Sequence, residues 1–382
     1  MVRFTLPRDL YHGKGSLEAL KTLEGKKAII CVGGGSMKRN GFLQKAEDYL
    51  KEAGMEVKLF EGIESDPSVE TVMKGAAVMT EFEPDWIVAI GGGSPIDAAK
   101  AMWIKYEYPD TTFEDMCKVF GLPKLRKKAH FCAVSSTSGT ATEVTAFSII
   151  TDYEKGIKYP IADFEITPDV AIVDPELAET MPVKLVAHTG MDALTHCIEA
   201  YTNKFAHPIV DMYALQGIKL IANNIFKAVT DGNNVESREA MALGSMYGGL
   251  CLGPVNTAAV HALSYPLGGE FHISHGLSNA ILLPSVMKFN YTANPKKYAD
   301  IAIAFGAKRG TTDEETALNG VDYITNLSIK CGIPTSLTEI GIPQEAVSRM
   351  AKAAMKVQRL LKNNPREVTE TDACDIYNNL YK

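Results

Sequence analysis

Apolar and polar positions divide the chain into two halves with different rhythms. In the first half, short runs that are apolar almost throughout recur: Lys27 to Val32, Val57 to Phe60, Trp86 to Ile90, Phe131 to Val134 and Val170 to Val173. Between them, Asn40 to Ala53 carries Phe42, Ala46, Tyr49 and Leu50 on one side at helical spacing, and Val69 to Glu81 reads as a second helix. Pro95 begins a third, near the first helical position, where its missing N–H costs little. Strands without a polar face, separated by helices, predict a parallel sheet covered on both sides.

After Met181 the strand-like runs nearly vanish. Helices are predicted over Val183 to Tyr201, Val210 to Ile225, Ser237 to Leu250, Asn279 to Phe289, Thr316 to Lys330 and Gln344 to Leu361. The boundary falls near Met181–Pro182, giving an α/β domain over 1–181 and an all-α domain over 182–382. A cleft between two such domains is a common place for a small-molecule site.

Composition narrows the classes. With 382 residues, 46% of them hydrophobic and 22% charged, the chain is globular rather than disordered or fibrous. The balance of 39 basic against 46 acidic residues, a net charge of −7, argues against nucleic acid or an anionic membrane as partner. No apolar run approaches a membrane span. Met1-Val2-Arg3-Phe4-Thr5 leads into Pro7 without an apolar stretch, so no secretory leader is expected. The seven cysteines form no CxxC pair, and several sit inside apolar runs. Reduced thiols in a cytoplasmic protein are the expectation, rather than disulfides or a thiolate zinc site.

Three turns carry candidate chemistry in the first half. Gly91-Gly92-Gly93-Ser94 lies between a strand and a helix, where backbone N–H groups and the helix start suit a pyrophosphate. The spacing is not GxGxxG, and a tight strand-to-helix turn would use the same residues. Gly33-Gly34-Gly35-Ser36 follows the first strand, where many dinucleotide sites place a carboxylate for the ribose 2′-hydroxyl. Here glycine stands instead, with Lys38 and Arg39 just beyond, so the segment leans toward NADP(H) over NAD(H) or is simply a solvated helix start. Ser135 to Glu143 is rich in hydroxyls that suit a nicotinamide or phosphate, although a helix cap explains the run as well.

The sharpest pattern is in the helical half. Asp192 and His196 are spaced i, i+4 among Met191, Leu194 and Ile198. A carboxylate and an imidazole on an apolar helix cost free energy unless paired or metal-bound. His261 and His275 bracket a stretch containing Pro266 and a glycine pair, which predicts a break: His261 ends one helix and His275 opens the next, both facing a shared point. Three imidazoles and a carboxylate suit Fe²⁺, Zn²⁺ or Mn²⁺, while a lone core histidine is more often plain structure.

These residues carry a resemblance. GGGSPIDAAK at 91–100, SSTSGTATE at 135–143, DPEL at 174–177, GMDALTHCIEAY at 190–201 and HALSYPLGGEFHISHG at 261–276, in that order, resemble the iron-dependent (group III) alcohol dehydrogenase family over essentially the whole chain. The start AIICVGGGSMKRNG at 28–41 is similar to its NADPH-preferring butanol dehydrogenase and aldehyde reductase branch. The resemblance implies a dinucleotide-binding α/β domain followed by a helical metal- and substrate-binding domain. It implies Asp192, His196, His261 and His275 as metal ligands. It also implies Gly92, Gly93, Ser94, Asp97, Ser136, Thr137, Thr140 and Lys158 as cofactor contacts, to which the first glycine turn adds Gly34, Gly35 and Ser36 as candidates, where other members place an aspartate at the position of Gly34. Some members credit proton transfer to a histidine four residues after the ligand matched by His261; here Tyr265 stands there, leaving Tyr265, His272 or water for that step. The implied activity is metal-assisted hydride transfer between NADP(H) and a primary alcohol or short aldehyde, in a homodimer. Alternatives are a dehydroquinate synthase-like lyase, a zinc glycerol dehydrogenase-like enzyme, or a sensor that has lost catalysis. The absence of Lys and Arg from 188–201 and 251–276 counts against the lyase, whose polyanionic substrate needs them.

Overall fold

The structure is a computed structural model that describes residues 3–381; Met1 and Val2, part of the stretch read above for a leader, lie outside them. The chain forms two compact units, Met1–Thr180 and Met181–Lys382. Among the described residues no helix is long and apolar enough to cross a membrane.

In the first unit the strands are β1 (Asp9–His12), β2 (Lys27–Val32), β3 (Glu56–Phe60), β4 (Trp86–Gly91), β5 (His130–Ser135), β6 (Phe147–Asp152), β7 (Ile157–Ala162) and β8 (Val170–Val173). Six of them form a sheet in the order β1-β8-β5-β4-β2-β3, and every pairing in it is parallel. The helices are α1 (Ser36–Arg39), α2 (Phe42–Glu52), α3 (Val69–Phe82), α4 (Gly93–Glu107) and α5 (Phe113–Met116). The inner strands β2, β4, β5 and β8 are buried on both faces, as their apolar runs require. Ile29, Cys31, Ile87, Ala89 and Phe131 pack with Met79 of α3 and Trp103 of α4. Alternate residues Ala28, Ile30, Val88, Ile90 and Val134 pack with Leu43 and Leu50 of α2.

Parallel order brings the three expected turns together. β4 lies between β2 and β5, with Val32 beside Ile90 and Gly91 beside Ser135. Their following turns therefore share one sheet edge, where ligands of open α/β sheets bind. Ser136 N donates to Gly91 O at 2.8 Å, tying the hydroxyl-rich turn to the glycine turn.

Some expectations are corrected here. Strand β1 and the antiparallel pair β6–β7 were not expected; β6 and β7 mix buried and exposed positions and form a separate small sheet. Helix α4 begins at Gly93, so Pro95 is its third residue, still among the first four N–H positions that have no intrahelical acceptor. No helix follows Ser135 to Glu143, so those hydroxyls do not cap one.

The second unit contains α6 (Val183–Thr202), α7 (Pro208–Thr230), α8 (Val235–Val255), α9 (Ala259–Phe271), α10 (His275–Asn290), α11 (Pro295–Phe305), α12 (Asp313–Lys330), α13 (Val347–Ala354), α14 (Gln358–Leu361) and α15 (Glu370–Asn378). The single helix expected over 344–361 is broken between α13 and α14, and α9, α11 and α15 lie where no helix was drawn. The break expected at Pro266 is absent: α9 runs through it, and His261 opens that helix rather than ending it. Proline removes one helical N–H donor. In the turn ahead of it, Ser264 Oγ donates to His261 O at 2.9 Å and Tyr377 OH to Leu263 O at 2.6 Å. The helix stops instead at His272, whose left-handed φ of 56° closes it as a C-cap.

Candidate metal centre and dinucleotide cradle

Each donor in the second unit is placed by a helix. Asp192 and His196 share a face of α6, His261 stands in the first turn of α9, and His275 opens α10. The start of α10 approaches α6 closely at Gly276, where a Cβ would meet His188 O at 2.6 Å, so only glycine permits the packing. One donor atom from each of Asp192, His196, His261 and His275 lies within 4.8 Å of all the others. Asp192 Oδ1 is 3.8 Å from His196 Nε2, 3.6 Å from His261 Nε2 and 3.7 Å from His275 Nε2. Donors bonded to one ion at ~2.1 Å stand about 3–3.5 Å apart, so the Asp192 spacings need only a slight contraction, while the set as a whole, spread over up to 4.8 Å, would draw in further around an ion.

The donor chemistry fits a divalent cation. Burial pushes His196 down to about 4, so at neutral pH its imidazole is uncharged and keeps a lone pair. Its Nδ1 has no hydrogen-bond partner among the described residues. Burial raises the Asp192 carboxyl, but the surrounding imidazoles and the Asn279 amide outweigh it and hold the group below its usual value. Burial lowers His261, and Glu199 and Asp192 outweigh that and raise it. His261 Nδ1 lies 2.7 Å from Glu199 Oε2. A carboxylate only accepts, so Nδ1 carries the proton and Nε2 turns its lone pair toward the cluster. Three donors are buried while the His275 side chain is 50% exposed, leaving one open side, as a catalytic rather than a structural site requires.

Sequence reading missed two residues. Glu199 also accepts from Ala258 N at 2.9 Å and Val260 N at 2.6 Å, pinning the start of α9 as well as orienting His261. Asn279 Nδ2 donates to Asp192 Oδ1 at 2.6 Å and stands 3.1 Å and 3.2 Å from Nε2 of His261 and His275. The signal was present: Glu199 is i+7 from Asp192 and Asn279 is i+4 from His275, each on the stripe of a ligand.

Tyr265 stands one turn beyond His261 on α9, and its hydroxyl accepts from Arg359 Nη2 at 2.6 Å. His272 lies at the exposed end of that helix, outside the four-donor cluster.

In the first unit the expected contacts gather at the sheet edge. Gly92 caps α4 and Gly93 opens it. A Cβ on Gly92 would lie 3.2 Å from Thr137 Cγ2, and one on Gly93 3.1 Å from Thr140 Cγ2, so the threonines rest directly on the glycine turn. Gly91 has φ +153° and would clash with Pro95 if it carried a side chain. Ser94 Oγ accepts from Asp66 N at 3.3 Å, and Asp66 pairs with Lys158 at 2.8 Å, which brings Lys158 beside this turn. Asp97 Oδ2 accepts from Ile149 N at 3.1 Å. Gly34, Gly35 and Ser36 follow β2, with Arg39 Nη1 2.9 Å from where a Gly35 Cβ would stand and Lys38 paired to Glu61 at 3.1 Å.

Comparison with known proteins decides the family. Residues 7–175 match the model of the iron-containing alcohol dehydrogenases, and residues 186–381 match the C-terminal model of the Fe-containing alcohol dehydrogenase family. The chain belongs to the iron-containing alcohol dehydrogenase family. It is 52% identical to an NADPH-dependent butanol dehydrogenase of Clostridium saccharobutylicum, over 100% of this chain and 98% of that one. It is 36% identical to a 1,3-propanediol dehydrogenase of Klebsiella pneumoniae, over 99% and 98%. A crystal structure of a 1,3-propanediol oxidoreductase superposes with a TM-score of 0.94 at 35% identity, covering 100% of both chains. The expected fold class and the butanol dehydrogenase branch both stand, and the chain is an alcohol dehydrogenase-type oxidoreductase. Neither the lyase nor the glycerol dehydrogenase alternative is favoured.

Proposed function

We propose that this iron-type alcohol dehydrogenase reduces short aldehydes to primary alcohols with NADPH, and runs the reverse reaction with NADP⁺. The observation that carries the reading is the convergence of three imidazole nitrogens and one carboxylate oxygen, largely buried but open on the His275 side. Asp192, His196, His261 and His275 would hold the ion, Fe²⁺ ahead of Zn²⁺ or Mn²⁺. An ion held there would supply Lewis acidity for the alcohol or aldehyde oxygen, and a nicotinamide would supply the hydride chemistry.

The chain's own groups do the rest. Glu199 fixes the His261 tautomer, and Asn279 orients Asp192. Gly92 and Gly93 leave room for a pyrophosphate at the start of α4, with Ser94, Asp97, Ser136, Thr137, Thr140 and Lys158 around it. Gly34, Gly35 and Ser36 leave space for a 2′-phosphate, which Arg39 and Lys38 would neutralise. The NADPH dependence of the 52% identical relative supports that preference. Of the two candidates for proton transfer, Tyr265 is favoured over His272, because it lies i+4 from His261 on one helix face. A cytoplasmic homodimer completes the reading; seven free cysteines support the location and the family resemblance supports the dimer.

Anaerobic absorbance at 340 nm with NADPH and butyraldehyde tests the proposal. Metal-stripped protein should be inactive, Fe²⁺ should restore turnover, and NADH should serve less well. Turnover that survives complete metal removal, or no NADPH oxidation across a panel of short aldehydes, would overturn it.

A further inference from the structure

Lys100 is fully buried in α4 and has no place in the reaction above. Its ammonium reaches three main-chain carbonyls: Thr142 O at 2.8 Å, Thr145 O at 2.7 Å and Phe147 O at 3.0 Å. All three belong to the segment that leaves the hydroxyl-rich turn and enters β6. A neutral amine has two N–H groups, whereas three carbonyl acceptors call for the three of an ammonium. The charge is therefore part of the construction, although burial pulls Lys100 down toward about 8. Two carboxylates face it. Asp97 lies one turn earlier on α4, and Glu143 is buried within the turn itself, its Oε2 without a hydrogen-bond partner among the described residues.

The same segment is anchored at its other end. Thr137 and Thr140 rest on Gly92 and Gly93, Thr142 Oγ1 donates to Thr140 Oγ1 at 3.2 Å, and Ser136 N donates to Gly91 O. Between Ser135 and Phe147 there is no helix or strand to hold the backbone. Without Lys100, the carbonyls of Thr142, Thr145 and Phe147 would lose their shared donor, and a loop that lacks a ladder takes its shape from just such contacts.

We propose that Lys100 is a positioning residue: an internal cation whose three bonds clamp the 136–147 segment onto α4, so that the threonine hydroxyls and the glycine N–H groups form one preorganised dinucleotide cradle. The inference rests on the reading that this cradle binds NADP(H). A cradle populated only part of the time binds its ligand more weakly by that fraction, while a bound complex, once formed, reacts much as before. The signature of the clamp is thus a change in NADPH affinity without a matching change in turnover at saturation.

The test uses full-length, iron-loaded enzyme, with NADPH binding followed by fluorescence, steady-state kinetics, amide hydrogen exchange and metal content. K100M/E143Q removes the cation together with one buried carboxylate, which limits the folding defect. K100Q, a neutral side chain with two N–H groups, is the milder variant. For K100M/E143Q the NADPH Kd should rise by about tenfold or more, with kcat at saturating NADPH within about threefold of the parent. Metal content should be unchanged, amides in 136–147 should exchange faster, and K100Q should fall between the two. Parent-like NADPH affinity in both variants, or a fall in kcat with Kd unchanged, would overturn the clamp. If the parent itself binds no NADPH, the dinucleotide reading falls and the clamp with it.

Discussion

The two candidate sites are built from different material. In the second unit the metal centre is made of side chains: three imidazoles, a carboxylate, and the groups that orient them, each delivered by a helix. In the first unit the cradle is made largely of backbone: glycines stripped of side chains, a helix start and a turn without regular structure. A side-chain site depends on individual atoms, so removing one donor should abolish it. A backbone site is spread over many weak contacts, so single changes should loosen it by degrees.

The largest test of that contrast is His261→Ala. It removes a donor and strands Glu199, so metal content should fall toward zero and activity on the order of 10³-fold, as loss of several kcal/mol of charge stabilisation requires. Metal analysis alongside the 340 nm assay measures both; near-normal activity would show that the side chains are not decisive. Next is Glu199→Gln, which keeps the shape but weakens the grip on His261 Nδ1 and on two backbone amides. Loss of such an orienting partner costs roughly 10–100-fold in metal affinity, read by competition with a chelator.

In the cradle the effects should be smaller and graded. Burial pushes the Glu143 carboxyl up from 4.5 to about 7, against its own amide, Ser135 and Lys100. A group that binds its proton more tightly when folded contributes stability below about pH 4.5, and that contribution drains away as pH rises through 7. Glu143→Gln cannot ionise. Its melting temperature relative to the parent should therefore increase from pH 4.5 to 8, corresponding to about 3 kcal/mol of relative stabilisation at the upper end. A difference that stays flat with pH would show that Glu143 is not held this way. The smallest effect belongs to Gly93→Ala. Its new methyl would sit 3.1 Å from Thr140 Cγ2, and overpacking of about 1 kcal/mol would raise the KM for NADPH by about fivefold. An equal rise in the aldehyde KM would argue against a site confined to the dinucleotide.

The same contrast explains what could be read from the chain. Asp192 and His196 were legible because a helix turns i, i+4 spacing into a shared face. Glu199 and Asn279 lie on the same faces but escaped notice, since a buried carboxylate or amide declares its role only when its partner is known. The glycine turns announced themselves after two apolar strands. That the Ser135 to Glu143 turn rests on the Gly91 turn was not legible, because it follows from β5 pairing with β4, a long-range property of strand order. Lys100 looked like any helical lysine; its burial depends on carbonyls more than forty residues away in sequence. At Pro266 local reasoning failed outright, since α9 runs straight through a residue that sequence alone makes a breaker.

The central claim is that Asp192, His196, His261 and His275 together bind one divalent ion on which turnover depends. Anomalous diffraction at the iron edge, on crystals of anaerobically loaded enzyme, addresses it directly. A single strong peak within ~2.3 Å of all four donor atoms, absent from the His261→Ala crystal, is the predicted result. Iron bound elsewhere, or active crystals with no peak among these four side chains, would contradict it.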